Sequence, residues 1–260
     1  MLQQTLKLRI FLIAVAVTTV VVAVKYWLHY LGWEPIEQSS LHNSIISSVI
    51  FVIGFVLSAT IADYKESERI PAQFASVVEN MYEDAREIQK TYPKFDLELF
   101  RRNLVEILGS FREGTRINRT GARREIHDLN ETFGEMERAG VPANFIVKLK
   151  QQQAQLLRSM HRVNYIQKIK FIPSAFLLVR CIVMLVIGLL LLTNIDPFYG
   201  SLVIVGLITF ILVYMLILIQ IISTPFHTEG ETQDDVSLFL LREAGQHLKT
   251  YEPKKKGKKK

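Results

Sequence analysis

Charge disappears from this chain in four places. The uncharged blocks run Ile10–Val24, Ser44–Ala62, Phe171–Thr193 and Ser201–Ile222, apart from one arginine, Arg180, in the third. The last three are long enough to cross a ~30 Å hydrocarbon layer as helices. The first is shorter and is closed by Lys25. Either it extends through Tyr26, Trp27, Leu28 and Tyr30, with Lys25 snorkelling and the aromatics at the interface, or it is the apolar core of a cleaved signal peptide preceded by Lys7 and Arg9. No convincing small-x-small cleavage site follows the apolar run before Lys25, which disfavours the second.

The second block differs from the others in grain. Ser44, Ser47, Ser48, Gly54, Ser58 and Thr60 are small or hydroxylated, as in helices packed on other helices rather than bathed in lipid. Beyond Ala62 the pattern turns charged, with no Gly or Pro before Pro71. One helix is therefore expected to leave the membrane and run into water as far as that proline. Such a span suits the lining of a pore, while a bundle helix with ordinary small-residue contacts is the simpler reading of this stretch alone.

Between the second and third blocks the apolar positions recur at helical spacing. One face carries Phe74, Val77, Val78, Met81, Ala85 and Ile88, and ends at Tyr92-Pro93. Asp96 is placed to cap the next helix, with Phe100, Leu104, Ile107 and Phe111 along it. A third helix carries Ile126, Leu129, Phe133 and Met136. Gly140 and Pro142 then punctuate, Pro142 suiting the first turn of a fourth helix that carries Phe145, Leu149, Leu156, Met160 and Val163. No strand alternation and no internal repeat appears, so the chain reads as an all-α integral membrane protein. Its expected parts are spans one and two over 1–63, a helical block over 64–170, spans three and four over 171–222, and a tail over 223–260 with a lysine-rich end.

Charge sets the expected topology. From Asp63 to Lys170 there are 19 Lys/Arg against 16 Asp/Glu; the loop between spans one and two has only Lys25, the turn NIDPFYG has no base, and the tail ends KKKGKKK. Positive charge favours the cytoplasmic side for both termini and the middle block, in a multi-pass protein of the cell membrane. The net charge of +6 is accounted for by that orientation, and no aromatic-interleaved basic patch points to nucleic acid. The single cysteine, Cys181, excludes an intrachain disulfide and is expected as a small buried hydrophobe. Arg180, several residues inside the third span, is expected to meet a partner, water or a headgroup.

Catalytic chemistry is not visible. The six histidines form no HExxH pair, and there is no phosphate-binding loop, nucleophile elbow or GxGxxG. No cofactor is expected. Glu229, Glu231, Asp234 and Asp235 form an acidic cluster, of which Glu231, Asp234 and Asp235 are weak calcium candidates, but the spacing is not that of an EF-hand loop and a solvated acidic loop is the simpler reading.

Three stretches together resemble the bestrophin family of anion channels, particularly its shorter prokaryotic members. FIPSAFLLVR at 171–180 resembles the Ile-Pro-x-x-Tyr-x-x-x-x-Arg start of the family's third span. STPFHTEGETQDDVSLFLL after the fourth span resembles its Pro-Phe-Gly followed by acidic or polar residues and a Leu-rich segment. FVIGFVLSATIADY at 51–64 is similar to the second span, whose aromatic residues form the pore neck. The order of spans and helical block agrees over most of the chain. Three departures are present: the family's Arg-x-Asn-x-Ala-Tyr pattern is faint in ATIADYKESER, His227 stands where Gly follows Pro-Phe, and Ser47 stands where the neck has an apolar rung.

The resemblance implies a homopentamer around a passive, chloride-type pore lined by the second span. It carries the neck onto Phe51 and Phe55, with Ser47 as the third rung, and a cytoplasmic constriction loosely onto Ala143 or Ile146. Helical spacing independently puts residues 47, 51 and 55 on one face. Rings of Phe gate by dewetting and attract anions through their positive edges. The competing expectation is that Phe51 and Phe55 pack within one subunit. A second function is a membrane-anchored helical scaffold that binds a partner or anionic lipid through its helical block and lysine tail.

Overall fold

The structure, a computed structural model, describes residues 9–114, 121–168, 173–226 and 236–250. These form two compact units, residues 9–65 with 173–225 and residues 66–114 with 121–168, 226 and 236–250. The helix α2, Ser40–Thr91, contributes to both.

The first unit contains α1 (Arg9–Tyr30), the first half of α2, α6 (Pro173–Leu192) and α7 (Phe198–Ile222). Among the described residues four helices are long and apolar enough to cross a membrane: Ile10–Tyr30, the apolar window of Ser40–Thr91, Ser174–Leu192 and Phe198–Ile222. The first block therefore extends through Tyr30, and the protein is an all-α membrane protein. Helix α1 packs on α6 and α7, and α6 on α7. The approach of α1 to α7 is close: a Cβ on Gly206 would lie 3.3 Å from Val22 Cγ2. The interior is branched aliphatic, with Val49, Ile53, Val179, Val183, Val186, Val205 and Leu212 in one cluster.

Helix α1 ends where Gly32 takes φ +67. Trp33 N donates to Leu28 O and Gly32 N to His29 O, each at 3.0 Å, a Schellman closure that needs a residue tolerant of positive φ. A two-residue parallel pair follows, β1 (Ile36–Glu37) with β2 (Thr193–Asn194), in the register Ile36–Thr193 and Glu37–Asn194. It ties the segment before α2 to the end of α6, and is too short for any alternation in the sequence to announce it.

The second unit holds the rest of α2 with α3 (Leu97–Gly114), α4 (Gly121–Arg138), α5 (Ala143–Lys168) and α8 (Phe239–Thr250). Asp96 caps α3 as expected, its Oδ1 accepting from Glu98 N and Leu99 N at 3.0 Å. Helix α4 ends at Gly140, φ +85, in a second Schellman closure. Phe74 stacks on Phe111 with centroids 4.0 Å apart, inside a core that also takes Met81, Phe100, Leu104, Ile126, Leu129 and Phe133.

The structure departs from the sequence reading in several places. Pro71 does not end its helix but lies inside α2. Proline in a helix interior costs about 3 kcal/mol, whereas Ile70, Phe74, Val78 and Met81, buried on either side of it, each contribute about 1.5–3 kcal/mol. Core packing outweighs the local penalty. On α5 the inward position belongs to Ile146, 8% exposed, and Phe145 is left 43% exposed. The core stripe there is Ile146, Leu149, Gln153, Leu156, Met160 and Val163, and its polar member Gln153 is satisfied by donating Nε2 to Ile126 O at 2.6 Å. A glutamine at a core position hides that stripe from a hydrophobic pattern. Cys181 is exposed on α6, not buried.

Candidate functional site

Across its apolar stretch α2 has two different sides. Val49 and Ile53 are buried against α6 and α7, and Thr60 is buried with its hydroxyl donated to Val56 O at 2.8 Å. On the other side Phe51 is 75% exposed and Phe55 70% exposed, and Ser47 is exposed with them. The expectation that the two rings pack inside one subunit does not hold. Ser44, Ser48, Ser58 and Ala62 complete this face at alternating steps of three and four residues, the repeat that keeps one side of a helix.

The hydroxyls on this face fall into two classes. Ser44 donates to Ser40 O at 3.1 Å and Ser48 to Ser44 O at 2.7 Å, bonds within their own helix. Ser47 and Ser58, one turn to either side of the Phe pair, make no hydrogen bond among the described residues. A hydroxyl left without a partner in hydrocarbon is costly. The exposed sides of α6 and α7 contrast, presenting Leu177, Leu178, Met184 and Leu185, and Val203, Ile204 and Leu207. Those sides suit lipid tails.

Of the other expected site residues, Ala143 is exposed and Ile146 is part of the core of the second unit. Glu231, Asp234 and Asp235, the calcium candidates, lie outside the described residues, as does His227. Among the described residues no group of three or more His, Cys, Asp or Glu could hold a metal ion. Arg180 is exposed with its guanidinium over the Phe176 ring, 5.7 Å from the centroid.

A polar cluster at the end of α1 was not anticipated. Lys25 does not snorkel outward: it is fully buried, with Nζ 2.6 Å from Glu34 Oε1. The same ammonium donates to Thr193 O at 2.5 Å and Leu191 O at 3.3 Å, the carbonyls where α6 ends. His29 Nδ1 lies 2.7 Å from Glu34 Oε2, and its ring stacks on Phe198 with centroids 3.8 Å apart. Burial acts to raise the Glu34 carboxyl, but hydrogen bonds from His29 and Lys25 outweigh it and hold the group below its ordinary value. A sequence signal existed: a lysine inside an apolar helix needs a counter-ion, and Glu34 is the first carboxylate after it.

No protein-family model matches the sequence, and no curated protein matches it either. Solved structures do. A bacterial bestrophin homolog from Klebsiella pneumoniae superposes with a TM-score of 0.76 at 14% identity, over 93% of this chain and 96% of that one. A mutant of that homolog gives 0.74 at 15% identity, over 92% and 96%. A further solved structure, described only as a membrane protein, gives 0.76 at 14%, over 95% and 98%. The chain has a bestrophin-like fold.

Proposed function

We propose that this protein is a passive anion channel of the bestrophin type, with five copies arranged so that the exposed side of α2 lines a central pore. The observation that carries the reading is the company Phe51 and Phe55 keep. They stand 75% and 70% exposed on the same face as Ser47 and Ser58, whose hydroxyls have no partner among the described residues. A lipid-facing side has no use for unpaired hydroxyls, and a side buried within the subunit would not leave two rings open. A side that faces water and its own symmetry mates accommodates both. Rings of Phe then form the narrow hydrophobic passage, with ring edges toward the ion.

Ser47 takes the outermost rung of this neck, and Ala143, exposed at the start of α5, is the better placed of the two candidates for a second constriction. Both termini and the second unit are assigned to the cytoplasmic side on the distribution of Lys and Arg. The fold comparison supports the channel reading over a membrane-anchored scaffold, which has no use for the exposed Phe pair.

The test joins assembly to transport. Light scattering of the purified protein in detergent is expected to give a pentamer, and proteoliposomes are expected to pass chloride under an imposed gradient. A folded pentamer that passes no chloride overturns the channel, and a monomer or dimer removes the pore itself.

A further inference from the structure

The exposed face of α2 acquires charge at one place within the first unit. Continuing the steps of three and four residues from Phe51 through Phe55, Ser58 and Ala62 leads to Lys65. Lys65 is exposed and forms no ion pair among the described residues. The neighbouring carboxylates do not neutralise it. At 100° per residue Asp63 projects almost half a turn away from Lys65, and Glu68, about 60° round the helix and one turn on, makes no ion pair with it among the described residues. Glu66, the nearest to the face, is engaged by Arg162, with Nε on Oε1 at 3.0 Å and an Nη on Oε2 at 2.8 Å. From Ser40 to Ala62 this face carries no carboxylate at all.

Ser58 lies between Phe55 and Lys65, about 4.5 Å along the axis from the first and about 10 Å from the second. Its hydroxyl proton is uncommitted, whereas those of Ser44 and Ser48 are donated to their own helix. Long helical side chains lean toward the N-terminus, so the Lys65 ammonium reaches back over the turn that contains Ala62, in the direction of Ser58. We infer that Ser58 and Lys65 form a binding station for a small monovalent anion at the C-terminal end of the Phe-lined passage, Ser58 by donating a hydrogen bond and Lys65 by concentrating anions at the mouth. The station rests on the pore reading above. Repeated around a five-fold axis, it is a ring of five hydroxyls and five ammonium groups between low-dielectric walls, which focus the field along the axis.

Magnitude decides what each residue does. Lys65 acts across about 10 Å, roughly one Debye length at physiological salt, so its effect is selectivity that fades as salt rises. Five such charges, screened over one Debye length, raise the local anion concentration about threefold and lower that of cations by the same factor, so the anion-to-cation ratio changes about tenfold, and reversing their sign changes it about a hundredfold. Ser58 acts at contact, and its effect is not screened.

The experiment measures the reversal potential across proteoliposomes under a KCl gradient, at about 0.05 M and about 1 M salt, where the Debye length falls to about 3 Å. Light scattering checks the assembly of each variant. Lys65→Gln is expected to lower the chloride-to-potassium permeability ratio about tenfold and Lys65→Glu about a hundredfold at low salt, both converging on wild type at high salt, with Lys65→Arg retaining the wild-type ratio. Ser58→Ala is expected to reduce chloride flux at both salt concentrations. A conducting Lys65→Glu pentamer with the wild-type ratio at low salt overturns the station and leaves the channel intact. A fall in ratio that does not shrink with salt, or that Lys65→Arg reproduces, also overturns it, because the cause is then shape rather than charge. Wild-type protein that conducts no ion overturns the channel and the station together.

Discussion

Lys25 and Glu34 form an ion pair at 2.6 Å in which the lysine side chain is 0% exposed and the glutamate 7%. The pair joins α1 to the segment leading into α2, and the same ammonium holds the two carbonyls at the end of α6. A charge buried to this degree is tolerated only with its partner and hydrogen bonds complete. The cluster therefore locks the connection that precedes the Phe-bearing helix.

Removing one partner strands the other. Lys25→Met is expected to destabilise the protein by about 3–5 kcal/mol, read as loss of unfolding free energy in detergent. The double variant Lys25→Met/Glu34→Leu is expected to recover most of that loss, because replacing a buried pair with apolar residues is often near neutral. A double variant as weak as the single one would show that Glu34 is not the group left stranded.

The same pair gives a pH dependence with a definite sign. The Glu34 carboxyl is held below its ordinary value by His29 and Lys25 against the opposing effect of burial. Its contribution to stability is complete above the ordinary glutamate value, about 4.3, and is lost as pH falls through the lower value of the folded state. Melting temperature is expected to drop on acidification below about pH 4 in the wild type. Glu34→Gln, less stable at neutral pH, is expected to lack that component of the drop.

On the proposed channel reading, the Phe pair separates function from folding. Phe51→Ala/Phe55→Ala removes two rings that are largely exposed in the protomer, so its cost to the fold is expected within about 0.5 kcal/mol per site. Chloride flux is expected to change by tenfold or more, because a hydrophobic constriction gates by dewetting. Unchanged flux in a correctly assembled protein would remove both residues from the pore.

Gly206 marks the tightest approach of α1 and α7. An added Cβ meets Val22 Cγ2 at 3.3 Å and Thr18 Cγ2 at 3.9 Å. Gly206→Leu is expected to force the helices apart and cost about 1–3 kcal/mol in unfolding free energy, the usual range for overpacking. No loss would mean that the two helices separate easily.

Much of this protein is written in patterns that local physics reads directly. Four uncharged stretches give four spans because unpaired backbone cannot cross hydrocarbon except as helix. Asp96, Gly140 and the Phe100–Leu104–Ile107–Phe111 stripe place helix ends and core faces because capping, positive φ and a 3.6-residue period act within a few residues. The common face of residues 47, 51 and 55 follows from the same period.

The tertiary structure decided the rest. Pro71 reads as a boundary until core packing on both sides holds the helix through it. Ile146 displaces Phe145 from the core because Gln153, polar by type, occupies an inward position and finds a carbonyl on α4. Lys25 reads as a snorkelling lysine until the fold brings Glu34 and two carbonyls to it. Which side of α2 stays open is likewise not a property of α2 alone. Phe51 and Phe55 are as apolar as Val49 and Ile53, and only the positions of α6 and α7 determine which pair is covered. Burial is a relation between segments far apart in the chain, and a local pattern records the period of a helix without recording which side its neighbours take.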